Sequence, residues 1–578
     1  MDQDRQEVAL AARGAPFALP ALPSSGVVVP ALAALLLILL TALPLGMLAI
    51  GSLQTEGTQG LTLANYLGVY GDPRTYRLLQ NSFLYALGTS AVAILLGTSL
   101  AYIVERTNVP MRRAVFAVTL VPLIVPGIVS TIAWIYLASG KIGVLNKLFM
   151  ALFGLQTPPF DVYGMLGMIW TEGLHLSPLV FLVMVGSMRA MDPSLEEAAV
   201  TSGARPLRTL RMITLPMLVP ALAASMLIMF VRGLESFEVP ALLGIPARIP
   251  VFTSEIYLAL RQYPQDYGVA GALGMGLLLV SAVGVWTYGR LTRRAERFAT
   301  ITGKGYRPRR IDLGKWRWVA LTFMVAYVLV VVVLPFLVLL FVSLLPFYIP
   351  SFDMLQRLTL KNYVTVLEHP DTLLAARNSL ILAIASASIT MALTAVIAWI
   401  VIRTRLPGRR FLDLLAFLPI GIPGLVLAVA IVFELVNFPI PIYGTLAILV
   451  IAYVTRYLPY GMRTNSAAML QLHRELEEAA AAAGASWWIT FRRIVVPLLW
   501  PSLVAGWIYV FVVSVRELSS SVLLVSPQSV VISFVIFDLQ VSGQSTAVAA
   551  LSVVLVVALV VIVGLTQGVS RRVGVREG

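Results

Sequence analysis

Ionisable side chains inside apolar stretches are the first residues in this 578-residue sequence that can do chemistry. They are Glu172, His175, Arg232, Glu235, Glu238, Glu434, Arg456, Arg463, Arg516 and Glu517. A charge in hydrocarbon is expensive, so such groups face a bundle interior, a cavity or one another. Arg232, Glu235, Arg516 and Glu517 occupy similar places in two halves of the chain. They are candidates for a gate or for the lining of a pathway. Structural ion pairs, or long side chains reaching the membrane edge, are the competing reading. No metal chemistry is indicated. There is no cysteine, and the three histidines, His175, His369 and His473, lie far apart in sequence, which argues against thiolate or imidazole sites. The 19 methionines are scattered and read as packing material. No nucleophile and base pair stands out, so no catalytic residue is assigned.

Two further segments share an unusual spacing. Residues 196–216 read EEAAVTSGARPLRTLRMITLP and residues 477–497 read EEAAAAAGASWWITFRRIVVP. In both, Glu-Ala-Ala is followed after three residues by Gly, and after nine more by Ile-x-(Leu/Val)-Pro. Asp192-Pro193-Ser194 suits a helix start, with acidic residues in the first turn. The alanines favour a short helix. Gly203 and Gly484 can end it in a left-handed conformation. Pro216 and Pro497 suit the start of the next helix. Each segment therefore predicts a short helix across the membrane surface, a sharp turn and a new span. An amphipathic helix touching only lipid headgroups is the bland alternative.

The elements that must position these residues are membrane spans. Hydrophobic residues make up 59% and charged residues 12%, against about 25% charged in soluble domains. Mean hydropathy is +0.89. A helix crosses the hydrocarbon core in about 20 apolar residues. Twelve stretches are predicted: 27–50, 80–104, 114–138, 164–188, 216–235 and 268–290, then 318–343, 379–402, 411–435, 444–468, 497–514 and 544–569. The run 27–50 is too long for a signal-peptide core and is read as an uncleaved helix. Pro122, Pro126, Pro419 and Pro423 mark either broken helices near the path or tolerated kinks. Most of the 42 Lys and Arg residues fall in loops that share a side with both termini. The positive-inside rule makes that side cytoplasmic. The formal charge of +14 belongs to these loops and indicates no nucleic acid.

The chain repeats itself. LTLANY at 61–66 matches LTLKNY at 358–363, an offset of 297 residues. The same offset relates Asn81-Ser82 to Asn378-Ser379, Arg106-Thr107 to Arg403-Thr404, and Pro126-Gly127 to Pro423-Gly424. At Gly203/Gly484 the offset is 281, so the second copy is 16 residues shorter, most simply in the outer loop near 139–163. Six spans per copy is an even number, so both copies insert the same way round, as parallel repeats. The expected organisation is a tail at 1–26, a first repeat at 27–290, a basic linker at 291–317, a second repeat at 318–570 and a tail at 571–578. The fold class is all-α, a polytopic membrane protein of about 12 transmembrane helices.

The twin Glu-Ala-Ala loops, each after a fourth span and before a fifth, resemble the EAA signature of the type I ABC importer permeases. The resemblance covers roughly 27–570. Within that family RELSSSVLLVSP at 516–527 and ESFEVPALLG at 235–244 look most like the fused ferric-iron permeases. Related stretches occur in permeases for polyamines, thiamine, sulfate and aminoethylphosphonate. The resemblance implies that the loops at 192–216 and 473–497 couple to two separate ABC ATPase subunits. It assigns this role to Glu197, Ala198, Ala199, Gly203, Ile213 and Pro216, and to Glu478, Ala479, Ala480, Gly484, Ile494 and Pro497. It implies a periplasmic or lipid-anchored substrate-binding protein as a further partner, and a bacterial inner-membrane location. The sequence lacks a G-x-x-x-x-G-K-(S/T) loop. ATP and Mg are therefore expected on the ATPase subunits, with no cofactor on this chain and no enzymatic role for it. A secondary transporter of six plus six helices is the remote alternative, and it leaves the twin loops unexplained.

Overall fold

The computed structural model describes residues 25–55, 60–192, 194–296, 311–349, 356–437 and 441–572. Residues 1–24 of the expected N-terminal tail, Pro193, residues 297–310 of the linker, residues 573–578 of the C-terminal tail and the short stretches 56–59, 350–355 and 438–440 lie outside them. Among the described residues the chain is built from helices, and the one β-bridge joins Thr107 to Ile311.

The first half contains α1 (Val28–Ser52), α2 (Pro73–Arg106), a bent α3 (Arg112–Leu123 and Gly127–Ala138), α4 (Met165–Ala190), α5 (Leu210–Glu235) and α6 (Tyr267–Arg290). The second contains α7 (Trp316–Ser343), α8 (Pro370–Arg403), a bent α9 (Arg409–Gly421 and Gly424–Leu435), α10 (Leu446–Gln471), α11 (Trp487–Val515) and α12 (Ser545–Leu565). Nine of these helices are long and apolar enough to cross a membrane, and the two bent pairs raise the number to 11. The twelfth predicted span is α10, whose 26 residues match the 26 of α4 in length. Arg456 and Arg463 make it less apolar than the others.

Prolines set the local departures from simple helix. Among the described residues, five π-turns occur at Ile38–Ala42, Leu210–Thr214, Pro240–Gly244, Leu329–Val333 and Phe491–Val495. Each ends two residues before a proline: Pro44, Pro216, Pro246, Pro335 and Pro497. A proline ring clashes with the carbonyl four residues back. A locally widened turn relieves that clash without ending the helix. This corrects the expectation that Pro216 and Pro497 open their spans. Helix is already present at Pro206–Thr209 and Trp487–Thr490, and both prolines lie inside continuous helical rods. The paired prolines of α3 and α9 do more. There 3₁₀ turns at Val121–Leu123 and Leu418–Gly421 precede Pro126 and Pro423, and the axes bend by 101° and 113°. These spans are broken, not merely kinked.

Helices α2 and α8 start earlier than predicted, because Pro73 and Pro370 occupy first-turn positions, where the missing N–H costs nothing. Asp72 accepts from the Arg74 N–H at 2.8 Å and caps α2. Each rod has 34 residues, about 50 Å at 1.5 Å per residue. Each packs along the fourth span of its half. A Cβ on Gly97 would lie 2.7 Å from the Ser177 carbonyl oxygen, so α2 and α4 meet backbone to backbone. Gly461 of α10 sits as closely against Thr394 of α8.

The halves interlock. α1 packs on α8, α9 and α6, whereas α7 packs on α3 and α12. Thr455 Oγ1 of α10 donates to the Leu40 carbonyl of α1 at 3.1 Å. Reciprocally, Ser177 of α4 and Tyr327 of α7 share a hydrogen bond of 2.7 Å. The 16 extra residues of the first half include a helix at Val144–Phe153. Asn146 fixes it by donating to Ser139 and Phe160 carbonyls.

Candidate functional site

The two Glu-Ala-Ala segments form the short helices Ser194–Thr201 and Glu475–Ala482, of eight residues each. Asp192 begins the first by accepting from the Ser194 N–H at 2.9 Å. That bond holds its carboxyl below the usual carboxylate range. Both helices stop in the same way. Ala204 N–H reaches back to the Ala199 carbonyl at 2.9 Å, and Ala485 N–H to the Ala480 carbonyl at 3.0 Å. Gly203 and Gly484 take φ of +83° and +80°. This is the left-handed helix stop that favours glycine. Space around both glycines is open, so backbone conformation alone requires them.

What holds the short helices in place is a pair of arginines. Arg106 ends α2 and is fully buried. Its Nε lies 3.4 Å from Glu196 Oε2, and its Nη2 donates to the Met188 carbonyl at 2.9 Å. Arg403 ends α8 and does the same. Its Nε lies 2.9 Å from Glu477 Oε1, and its Nη2 donates to the Met469 and Leu472 carbonyls at 2.9 and 2.7 Å. Each guanidinium thus ties three elements together: the second span, the last carbonyls of the fourth, and the short helix. A cation at a helix C-terminus also suits the macrodipole there. Glu196 further accepts from Thr214 Oγ1 at 2.6 Å, and Glu477 from Trp399 Nε1 at 3.2 Å.

In the first half the end of the linker joins this junction. Ile311 N–H donates to the Arg106 carbonyl at 2.9 Å, and Asn108 N–H to the Ile311 carbonyl at 3.2 Å. Asn108 Nδ2 donates to Asp312 Oδ1 at 2.6 Å. The Gly314 N–H and Asn108 hold the Asp312 carboxyl below its ordinary range.

Three interior arginines separate into two kinds, while Glu172 is buried in α4 and His175 and Glu238 lie close to Gly127 of α3. Arg456 Nε lies 3.2 Å from Glu517 Oε2. Glu517 also accepts from Tyr457 Oη at 2.9 Å and from the Ser520 N–H at 3.0 Å. This is a well-satisfied pair inside the second half. Arg232 and Arg516 instead bridge the halves. Arg232 bonds Tyr460 of α10 and lies 4.0 Å from Glu235. Arg516 donates to the Leu123 carbonyl, at the break in α3. Glu434 is half-buried near the end of α9 and Arg463 is exposed. Among the described residues no three His, Asp or Glu side chains converge as a metal site.

The sequence profile of one family, described as the binding-protein-dependent transport system inner membrane component, matches residues 93–297 and again 395–575. The chain belongs to this family. The permease carries two copies of the family unit in one polypeptide, one in each half, and is the membrane-spanning subunit of an ABC importer. It is a transport component and not an enzyme. It is 28% identical to the ferric transport system permease protein FbpB of Actinobacillus pleuropneumoniae, over 86% of this chain and 71% of that one. It is 24% identical to the Fe(3+)-transport system permease protein FbpB 2 of Haemophilus influenzae, over 90% of this chain and 95% of that one. A crystal structure of a bacterial ABC transporter that imports alginate aligns with 45% of the permease and 97% of its own chain, at 18% identity and a TM-score of 0.37.

The sequence-predicted residues of the permease fall into place unevenly. Ala198, Gly203 and Pro216 are exposed, as are Glu478, Ala479, Gly484 and Pro497. Glu197, Ala199, Ile213, Ala480 and Ile494 are half-buried. Sequence reasoning missed Glu196 and Glu477, the first glutamate of each segment, which turn inward to the arginines. It also placed Arg106 and Arg403 just beyond the predicted spans 80–104 and 379–402 and used them only as markers of the repeat. The signal was present: Arg-Thr recurs at the 297-residue offset, and a randomly placed positive loop charge need not keep its register.

Proposed function

We propose that this permease passes ferric iron across the inner membrane by ATP-driven alternating access, with the iron delivered by a periplasmic or lipid-anchored binding protein. The helices at 194–201 and 475–482 are its coupling helices, one for each of two ATPase subunits that carry ATP and Mg. Their side is the cytoplasm, with both termini. Two exposed short helices, each closed by a left-handed glycine and anchored from beneath by a buried arginine, carry the reading. The iron relatives, matched over 86% and 90% of this chain, support the cargo. Glu197 and Glu478 face the ATPase.

In the mechanism, closure of the ATPases on ATP draws the coupling helices together, and the two halves reorient to open the path outward. Hydrolysis resets them. Shifting such an equilibrium from 1:99 to 99:1 takes about 5.5 kcal/mol of differential binding. Arg232 and Arg516, with Glu235 and Glu517 beside them in sequence, form the gate region. The two bridging arginine contacts must break when the halves part, whereas the Arg456–Glu517 pair moves as a unit.

The deciding experiment is uptake of labelled Fe(III) into vesicles holding the permease and its ATPase, with the binding protein supplied and polyamine and thiamine as competitors. ATP-dependent accumulation that stops without the binding protein is expected. No iron uptake, with hydrolysis stimulated by a different loaded binding protein, would refute iron as cargo and leave the importer mechanism standing. Uptake that needs no ATPase would refute the mechanism.

A further inference from the structure

The second span of each half is pinned at both ends by residues that the repeat keeps in register. At one end Arg106 and Arg403 hold Glu196 and Glu477 of the short helices. At the other end the pinning is also duplicated. Asn81 Nδ2 donates to the Pro250 carbonyl at 3.1 Å, and Ser82 Oγ accepts from the Phe252 N–H at 3.0 Å. Asn378 Nδ2 donates to the Gln528 and Val530 carbonyls at 3.0 and 2.9 Å, and Ser379 Oγ accepts from the Ile532 N–H at 2.9 Å. The segments so gripped, near 250 and 530, follow the residues 232–238 and 516–520 that hold the bridging arginines. Tyr85 of α2 also donates directly to Ser236, next to Glu235. Between the two pins run 25 residues of unbroken helix, about 38 Å at 1.5 Å per residue. The neighbouring fourth span packs backbone to backbone against α2 at Gly97.

We propose that α2 and α8 are transmission rods. Arg106 and Arg403 are positioning residues at the ATPase end, and Asn81 and Asn378 are positioning residues at the gate end. A displacement of the short helix is carried by the arginine into the rod and by the asparagine into the segment after the fifth span. Like α6 and α12, α2 and α8 contain neither an internal proline nor a π-turn, and at 34 residues they are the longest such helices among the described residues. Of these four, α2 and α8 are the ones gripped at one end by the short helix and at the other by the segment after the fifth span. The inference rests on the coupling-helix reading above.

The test uses the complete transporter with its ATPase and binding protein in vesicles, in Arg403→Gln, Glu477→Gln, Asn378→Ala and the double variant R403Q/E477Q. ATPase copurification and the number of substrate molecules imported per ATP hydrolysed are measured for each. For Asn378→Ala, copurification and hydrolysis within about twofold of the unmodified permease are expected, with import per ATP falling at least tenfold; for the Arg403 and Glu477 variants the same fall in import per ATP is expected in the fraction that still copurifies the ATPase. The double variant should be no worse than either single change, as for one shared contact. The decisive variant is Asn378→Ala, which lies a full rod away from the docking surface and cannot alter it directly. Unchanged import per ATP in Asn378→Ala would overturn the proposal. So would loss of uptake that merely follows loss of copurification in Arg403→Gln, because the arginine would then serve docking alone. Where a Gln variant is not monodisperse, Arg403→Lys keeps the charge without the fork that reaches two carbonyls, and an unchanged ratio there also counts against the rod. Failure of the unmodified permease to copurify the ATPase would instead overturn the coupling-helix reading, and the rod with it.

Discussion

Removing Arg456 should destabilise the permease far more than removing the whole Arg456–Glu517 pair. The guanidinium and carboxylate are 3.2 Å apart, with side chains 14% and 9% exposed. At an effective dielectric of about 20, two charges at that distance attract by roughly 5 kcal/mol, an upper bound on the interaction. Arg456→Met leaves Glu517 with only the Tyr457 and Ser520 donors, and an uncompensated buried charge costs about 3–5 kcal/mol. In R456M/E517Q no charge is stranded, and the neutral amide can still use Tyr457. The double variant should therefore lie at least about 2 kcal/mol closer to the original than the sum of the single changes. Unfolding in mixed micelles with increasing sodium dodecyl sulfate, followed by far-ultraviolet circular dichroism, measures each corner of the cycle. A loss below about 1 kcal/mol for Arg456→Met, or strict additivity, would refute a buried, dry pair.

Three other outcomes are expected. Gly203→Ala and Gly484→Ala should each lose about 1–2 kcal/mol from left-handed strain, whereas Gly484→Asn should lose less; thermal unfolding of the detergent-solubilised protein separates them. Gly203→Trp and Gly484→Trp should block ATPase copurification while membrane insertion persists, and normal copurification with normal uptake would remove the docking role. Asp312 has a folded-state pKa depressed below 3.8, so its contribution is present above about pH 4 and is lost as pH falls through the folded value. Asp312→Asn should therefore flatten the acid limb of a stability–pH profile below about pH 4, and an unchanged limb would show that the linker contact is energetically silent.

Much of this architecture was written in local chemistry. The Gly203 and Gly484 stops follow from glycine's freedom at positive φ, and the breaks in α3 and α9 from paired prolines. Ten-residue errors at the fifth spans arose because a proline was taken as a helix start. A π-turn lets it ride inside a helix, and hydropathy carries no sign of that. The choice between Glu196 and Glu197 was not legible either. Adjacent glutamates differ by about 100° around a helix axis, and only the position of Arg106 says which one turns inward. The interlock of α1 with α8 and α9 lies between segments hundreds of residues apart, with apolar faces that are interchangeable in the sequence.

That interlock has a consequence for how the protein is made. Leu40 and Thr455, joined in the finished molecule, are 415 residues apart in the chain. At about 5–20 residues per second of synthesis, α1 emerges some 20–80 s before its partner on α10 exists. During that interval the Leu40 region has lipid, or an insertion chaperone, where α10 will be. The first half therefore enters the membrane as an unfinished object, complete only when the ribosome has made α10.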